Sequence, residues 1–544
     1  MTTVAELVGR TLVEYGVGRV FGVVGSGNFA VTNAMLDAGA RYVAARHEGG
    51  AATMADACAR MGGGITALTV HQGCGLTNAM TGLTEAAKSR TPMLVLAAEA
   101  TQPRSNFYVD QPALAEAVGM VPLRVDDPAS AADRVREAFL TARDGRRVVL
   151  LNLPLEVQAA PADDGAVAPL PPTPPPVQPD PGAVERLAEA LRRAERPVFV
   201  AGRGARGSRA ALEDLADRCG ALLATSAVAK GLFHGNPWSL DVSGGFSSPL
   251  VAELISSADL LVGWGCALNM WTMRHGRLVG AGATVVQVDA EEDALGAHRE
   301  VDLGVVGDVR LTAEALALLT TVTAGQEGYR TAQVREALAA RGRWRDVPVE
   351  DRSGGGRIDP RTLSRALDDL LPADRVVAVD SGNFMGYPSA WLDVPDELGF
   401  CFTQAYQSIG LGLATAIGAA LAQPERLPVA ALGDGGALMG ASELDTVRRL
   451  GLPLLVVVYN DDGYGAEVHH FAGSGQRLDT VTFPDTDIAA VARGYGFRAE
   501  TVRSVADLSV VSSWLEAGRP VPLLLDAKVV ADEPSWWLAE AFGH

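Results

Sequence analysis

The chain has 544 residues, 48% of them hydrophobic and 20% charged, with a formal net charge of −19. That length exceeds what one core usually holds, so several domains are expected, and the hydrophobic content excludes a disordered chain. The negative balance argues against a nucleic acid or an anionic membrane as partner, so an anionic ligand must be held by local donors and a cation. Five scattered cysteines without a CxxC pair speak for a reduced compartment and against structural zinc or disulfides. The amphipathic N-terminal stretch lacks a signal-peptide core, and no apolar run is long enough to cross a bilayer. A cytoplasmic protein is therefore expected.

In chain order, residues 1–158 alternate apolar runs such as "RVFGVV", "ITALTV" and "RRVVLLNL" with helical stretches such as "NAMTGLTEAAKS". Residues 159–183 are too rich in proline for helix or central strand and read as an extended linker. In residues 184–340 "PVFVAG", "ADLLVGWG" and "ATVVQVDA" repeat the alternation, and a polar linker with Gly354-Gly355-Gly356 occupies 341–360. Residues 361–544 add "DRVVAVD", "LPVAALGD", "LPLLVVVYND" and "VPLLLDAK". Short apolar strands alternating with helices imply parallel sheets covered on both faces. The fold class is α/β, with three doubly wound parallel-sheet domains whose ligands sit beyond the strand C-termini.

Two of those strand ends carry acids among glycines. Asp434 lies between Gly433 and the pair Gly435-Gly436, and Asp461 follows 27 residues later, just before Gly463 and Tyr464. Glycines let backbone N–H groups approach phosphate oxygens. An acid inside an anion site makes sense only with a cation between them, and magnesium takes such oxygen ligands. Asp434, Asp461 and the Gly463 carbonyl form the candidate metal set, with Asn460 serving instead of Asp461 if the loop shifts. Ordinary strand-to-loop turns, where Asp and Gly are common, are the plain alternative.

Order, spacing and strand context of "GDG", 24 residues and then "ND" resemble the thiamin-diphosphate signature, with Asp461 standing where the family has its second Asn. "RHEGGAATMADACAR" is similar to the segment of the pyrimidine-binding domain that carries the cofactor-activating Glu, which places that role on Glu48. "QSIGLGLATAIGAALA" resembles the segment with the residue wedged between the cofactor rings, which implies Ile409 as wedge and the Gln407 carbonyl beside the amino group. Ile409 reads equally as a core residue at a helix start. "DSGNF" matches a diphosphate loop, with Gly382 and Asn383 as contacts, and Gly433, Gly435, Gly436 and Tyr464 complete the cofactor-binding set. The resemblance, to acetolactate synthases, benzoylformate decarboxylases and pyruvate decarboxylases, runs through nearly the whole chain. It implies pyrimidine-binding, central and diphosphate-binding domains in that order, thiamin diphosphate with Mg2+, and a homodimer or homotetramer with sites at subunit interfaces.

The resemblance further places Ser26 and His71 at benzoylformate-decarboxylase site positions and Glu467 at a substrate-side position of pyruvate decarboxylases. A His capping the "QGCG" loop is the plain reading of His71. Tyr108 stands where acetolactate synthases carry a substrate-placing Gln, and "GWGCALNMWTMRHG" lacks their flavin-contacting arginines, so FAD is implied only if Arg274 substitutes. Met270 and Trp271 make either an apolar substrate side or a domain interface. The expected reaction is decarboxylation of a 2-oxo acid with carboligation of the resulting enamine to a second carbonyl compound. Simple decarboxylation is the second expectation. A flavin or nicotinamide oxidoreductase built on "GRGARGSRAALEDLA" comes from another class, but lacks GxGxxG spacing.

Overall fold

Among the described residues, eighteen short, mostly apolar segments form strands because each is bounded by turn residues and flanked by helices that cover both faces of its sheet. The computed structural model describes residues 2–163, 165–319 and 327–541. The first sheet holds β1 (Arg19–Gly22), β2 (Arg41–Ala44), β3 (Thr66–Val70), β4 (Met93–Glu99), β5 (Val121–Arg124) and β6 (Val148–Pro154). The second holds β7 (Pro197–Ala201), β8 (Leu222–Thr225), β9 (Ser239–Val242), β10 (Leu260–Trp264), β11 (Thr284–Asp289) and β12 (Leu303–Val306). The third holds β13 (Arg375–Val379), β14 (Phe400–Phe402), β15 (Leu427–Gly433), β16 (Leu455–Asn460), β17 (Arg498–Val502) and β18 (Leu523–Lys528).

Every pairing between these strands is parallel. The first and third sheets share one order, β2-β1-β3-β4-β6-β5 and β14-β13-β15-β16-β18-β17. The middle sheet, β12-β11-β10-β7-β8-β9, differs. In open parallel sheets a crevice forms where the strand order reverses. In the first sheet that point lies between β1 and β3, the strands leading to Ser26 and His71. In the third it lies between β13 and β15, leading to the Asp380 and Asp434 loops. The α/β class with three doubly wound sheets is thus the observed architecture.

The outer two domains share a core. Helix Glu48–Cys58 packs on helix Gly412–Ala422, and one apolar cluster runs from Phe21 and Met54 through Ile417 to Val456 and Leu524. The two helices touch closely because Gly418 has no side chain: a Cβ there would stand 2.3 Å from the Met54 carbonyl oxygen. Among the described residues no helix is long and apolar enough to cross a membrane. Gly418→Val should overpack this seam and cost about 1–3 kcal/mol, read as a lower denaturant midpoint; an unchanged midpoint would mean that the seam yields freely.

Candidate active site

A cavity of about 1070 Å3 opens between the third sheet's strand ends and the central domain. Its floor carries Gly433, Asp434, Gly435 and Gly436 from the β15 loop, and Asp461, Gly463 and Tyr464 from the β16 loop. β15 and β16 are neighbours in register, with Gly433 opposite Tyr459, so their acids emerge side by side. The Asp434 and Asp461 carboxylates lie within hydrogen-bonding reach of each other. Burial pushes Asp434 up to about 6. Burial and the facing charge of Asp434 hold Asp461 well above the usual carboxylate range.

Two acids facing each other in a desolvated crevice are what a divalent cation would separate and ionise. Among the described residues no group of three or more His, Cys, Asp and Glu side chains could hold a metal. The set here is smaller, two carboxylates with Gly463 on the same wall, and it fits magnesium, which keeps ligands from phosphate and water. Asn460 is not part of it: its Nδ2 donates to Asp526 (2.8 Å) and its Oδ1 accepts from the Asp462 N–H (3.1 Å). Asp462 in turn is ion-paired with Arg357. The loop is thereby fixed with Asp461 toward the cavity.

The cradle around the acids is built for close approach. A Cβ on Gly436 would stand 2.1 Å from Asp380 Oδ2, and Gly382 has a φ of 143°, which a side chain would rarely allow. Asp380, fully buried, accepts the N–H of Ser381 (2.9 Å) and of Gly410 (2.9 Å). Burial raises its pKa to about 6 against those bonds and others from Leu411 and Gly412. It therefore ties the β13 loop to the turn bearing Gln407 and Ile409, both of which line the cavity. Gln407 holds a positive φ of 60° there.

Gly382 and Asn383 also line the cavity. The Asn383 Oδ1 accepts from the Ser535 N–H (3.2 Å) and Oγ (3.1 Å). With the oxygen so committed, the free end of that amide is Nδ2, a donor suited to a phosphate oxygen.

Glu48, Ser26 and His71 do not line this cavity. Glu48 opens helix Glu48–Cys58, half-buried, and its Oε2 accepts from Asn78 Nδ2 at 3.0 Å. Ser26 and His71 come together at the first sheet's switch point. His71 Nδ1 accepts from the Gly27 N–H (3.2 Å), its ring meets Phe107 edge-on at 5.2 Å, and Asn28 Oδ1 anchors the Gly25 N–H (2.8 Å). So the sequence candidates fall into two half-sites within one chain.

The two halves are nonetheless wired to each other. Glu443, buried in the C-terminal domain, accepts the backbone N–H of Arg46 and His47 (both 3.0 Å), immediately before Glu48. Glu85, buried in the N-terminal domain, accepts those of Ala405 (3.0 Å) and Tyr406 (2.6 Å), immediately before Gln407. Neither glutamate, nor Ser535, carried a sequence signal beyond lying in a helix or a tail. Asp380 did, as an acid at a strand end.

Of the remaining candidates, Glu467 lines the cavity from helix Gly465–Phe471. Met270 and Trp271 line it too, so both readings of that pair meet at a cavity wall between domains. Arg274 spends its Nε and Nη2 on the carbonyls of Gly244 (2.9 Å) and Ser247 (3.0 Å). The glycine turn Gly202–Gly204 lies at the edge of the same cavity and packs closely on its neighbour, since a Cβ on Gly202 would stand 2.2 Å from the Gly265 carbonyl oxygen. Close packing of two turns thus accounts for the glycines that suggested a nucleotide loop.

Comparison with known families assigns all three domains. Residues 2–118 match the N-terminal TPP binding domain of thiamine pyrophosphate enzymes, 184–316 their central domain, and 380–526 their C-terminal TPP binding domain. The chain belongs to the thiamine pyrophosphate enzymes. A probable 2-ketoarginine decarboxylase of Pseudomonas aeruginosa is 29% identical over 95% of this chain and 92% of its own. A catabolic acetolactate synthase of Raoultella terrigena is 28% identical (93% and 91%), and a sulfoacetaldehyde acetyltransferase of Castellaniella defragrans 26% (93% and 89%). In three dimensions the thiamine pyrophosphate enzyme fold is shared with a thiamine diphosphate-dependent 4-hydroxybenzoylformate decarboxylase of Rhodococcus jostii, at a TM-score of 0.81 and 23% identity, over 98% of this chain and 100% of that one.

Removing the carboxylate in Asp434→Ala should abolish magnesium-dependent thiamin diphosphate binding in titration calorimetry, and wild-type affinity would refute the metal role. Ser535→Ala removes the hydroxyl donor and leaves only the backbone N–H on Asn383 Oδ1, so it should weaken cofactor binding by about two- to tenfold, the loss expected of one hydrogen bond; unaltered affinity would show that the backbone N–H alone orients the amide.

Proposed function

We propose that the protein decarboxylates a 2-oxo acid and couples the retained acyl unit to a second carbonyl compound. The observation that carries this reading is the pair of buried carboxylates, Asp434 and Asp461, facing each other at the cavity floor. Asp434, Asp461 and Gly463 hold Mg2+, and Gly382, Asn383, Gly433, Gly435, Gly436 and Tyr464 surround the diphosphate. Bound thiamin diphosphate supplies the carbon nucleophile and the electron sink. Ile409 and Gln407 orient the ring system, and Ile409, β-branched, is stiff enough to hold an angle. Glu48 gives a proton to the aminopyrimidine side and receives it back. FAD has no part in the reading.

Because Glu48 stands outside the cavity of its own chain, the working site pairs one chain's metal loops with Glu48, Ser26 and His71 from a second copy, in a homodimer or a dimer of dimers. Coupling to a second carbonyl agrees with relatives named acetolactate synthase and sulfoacetaldehyde acetyltransferase, and with a cavity that extends from Asp434 past Glu467 to Trp271. A second reading, protonation and release of the product as in a simple decarboxylase, is favoured by one detail. His71 Nδ1 is an acceptor, so the neutral ring carries its proton on Nε2, available for donation.

The deciding experiment is product analysis with pyruvate, benzoylformate and longer 2-oxo acids, with and without an aldehyde. Carbon dioxide with a 2-hydroxyketone supports coupling; aldehyde alone supports the second reading; no carbon dioxide from any acid refutes both. Glu48→Gln should abolish C2 proton exchange of the bound cofactor while leaving binding in place. Mixed with inactive Asp434→Ala chains, Glu48→Gln chains should regain activity, up to about a quarter of wild type if subunits exchange at random in a dimer. No recovery after proven subunit exchange would refute the shared site.

A further inference from the structure

The C-terminal segment is aromatic, and the reaction outlined above gives it no role. After β18 the chain runs back over the third sheet to a short helix, Trp536–Ala541. Two indole N–H groups fasten it. Trp536 Nε1 donates to the Gly245 carbonyl of the central domain (3.0 Å), and Trp537 Nε1 donates to the Asn383 carbonyl (2.8 Å). Trp536 is further locked in an aromatic cluster, with ring centroids 4.4 Å from Trp344, 5.3 Å from Trp391 and 5.7 Å from Tyr387. The segment therefore bridges two domains at the cavity edge, and its position is set by directional bonds as well as by burial.

Trp537 is the member that reaches the cavity. It is buried with Leu538 against Phe246, Trp271, Met385 and Ala466, and all four of these neighbours line the cavity. Ala466 immediately precedes Glu467 and lies five residues beyond Asp461, so this wall stands next to the metal loop. The room for the indole comes from two small residues. One is Ala466, and the other is Gly386, where a Cβ would stand 2.2 Å from Trp537 Cδ1. With its only donor spent on Asn383, Trp537 offers the cavity a rigid surface without hydrogen-bonding capacity. Met385 and the rings of Phe246 and Trp271 extend that surface. Of the cationic groups lining the cavity, Arg60, Arg90 and Arg203 come from the N-terminal domain and the glycine turn after β7, whereas Arg274, beside this wall, spends Nε and Nη2 on the carbonyls of Gly244 and Ser247, and the His275 ring stands 6.1 Å from Trp271.

We propose that Trp537 is a specificity-determining residue, and that with Phe246, Trp271 and Met385 it selects 2-oxo acids carrying a flat apolar side chain over pyruvate. This rests on the 2-oxo acid reading above and deepens it by naming the substrate class. A flat side chain gains from stacking and dispersion against such a wall, whereas a methyl group leaves most of it wetted and a charged side chain finds no partner on it.

The test uses the full-length, cofactor-loaded protein and compares kcat/KM for benzoylformate and pyruvate. Wild type should favour benzoylformate. Trp537→Ala should lower the benzoylformate-to-pyruvate ratio by about tenfold or more, chiefly through KM for benzoylformate. Gly386→Ala, which displaces the indole without removing it, should move the ratio the same way, and Trp537→Phe should restore most of it while lacking the N–H. A wild-type preference for pyruvate, or a ratio in Trp537→Ala that moves by less than tenfold, overturns the proposal. Should Trp537→Ala fail to fold, the Gly386→Ala ratio decides by the same criterion. A separate arm distinguishes failure of the reaction itself. If no 2-oxo acid releases carbon dioxide, the 2-oxo acid reading fails, and the thermal-unfolding shift given by benzoylformate then judges Trp537 alone. A shift lost in Trp537→Ala supports the residue's role, and an equal shift in both proteins overturns it.

Discussion

Two acids of like charge, buried and in contact, are the constraint around which the rest of the molecule is arranged. Asp434 and Asp461 cannot both ionise in a desolvated crevice unless a cation lies between them. Everything nearby serves to hold them in place. β15 and β16 run in register beneath them. Asp526 and Arg357 hold the residues on either side of Asp461, so that neither Asn460 nor Asp462 competes for the ion. Asp380 ties the third loop of the crevice to the turn of Gln407 and Ile409. In a chain of net charge −19, a further buried acid pair would be a liability without a ligand. Its position on the floor of a large cavity is the observation on which the proposed cation-dependent diphosphate site rests.

The outer two domains have the same strand order, and each carries a half-site at its own switch point. The halves do not meet inside a chain, yet Glu443 of one domain secures the backbone entering Glu48, and Glu85 of the other secures the backbone entering Gln407. Each domain thus depends on its covalent partner for the shape of a loop whose chemistry is completed elsewhere. In the dimer proposed above, half-sites already formed within each chain would leave pairing only to bring formed surfaces together, which lowers the ordering cost of association. The seam of helices Glu48–Cys58 and Gly412–Ala422 keeps the two glutamates in reach, which is why Gly418, far from any reacting atom, matters to the site.

Legibility in the sequence followed the range of the interactions involved. The α/β class could be read because buried strands betray themselves locally, as short apolar runs set between helical stretches, such as "LPVAALG" of β15 and "LVVVYN" of β16. Asp434 and Asp461 could be read because both follow such strands at a recognisable spacing. The choice between Asn460 and Asp461 as the inward-facing ligand could not: that Asn460 turns away is decided by Asp526, 66 residues further on. Likewise Ser535 meets Asn383 across 152 residues, and Glu443 meets His47 across 396. A polar contact between distant segments leaves no periodicity and no composition bias, so a single sequence carries no trace of it. The glycines of "GRGARG" failed in the opposite direction. They are real signals of close approach, but what approaches Gly202 is the turn at Gly265.

The aspartate at 461, where the family signature has asparagine, has a consequence for charge. In the proposed site, two ionised carboxylates would neutralise a divalent ion by themselves, leaving little net positive charge for the diphosphate. The anion must then be met by donors that carry no formal charge: backbone N–H groups of the glycine loops and the Asn383 amide. Such donors work only at short range and in the right direction, which places a premium on geometry over field strength. The side-chain-free approaches at Gly382, Gly435 and Gly436, and the fixing of Asn383 by Ser535, are the features that such a site requires. The added carboxylate and the well-braced cradle are therefore two parts of one solution, in which precision of hydrogen bonding replaces electrostatic attraction.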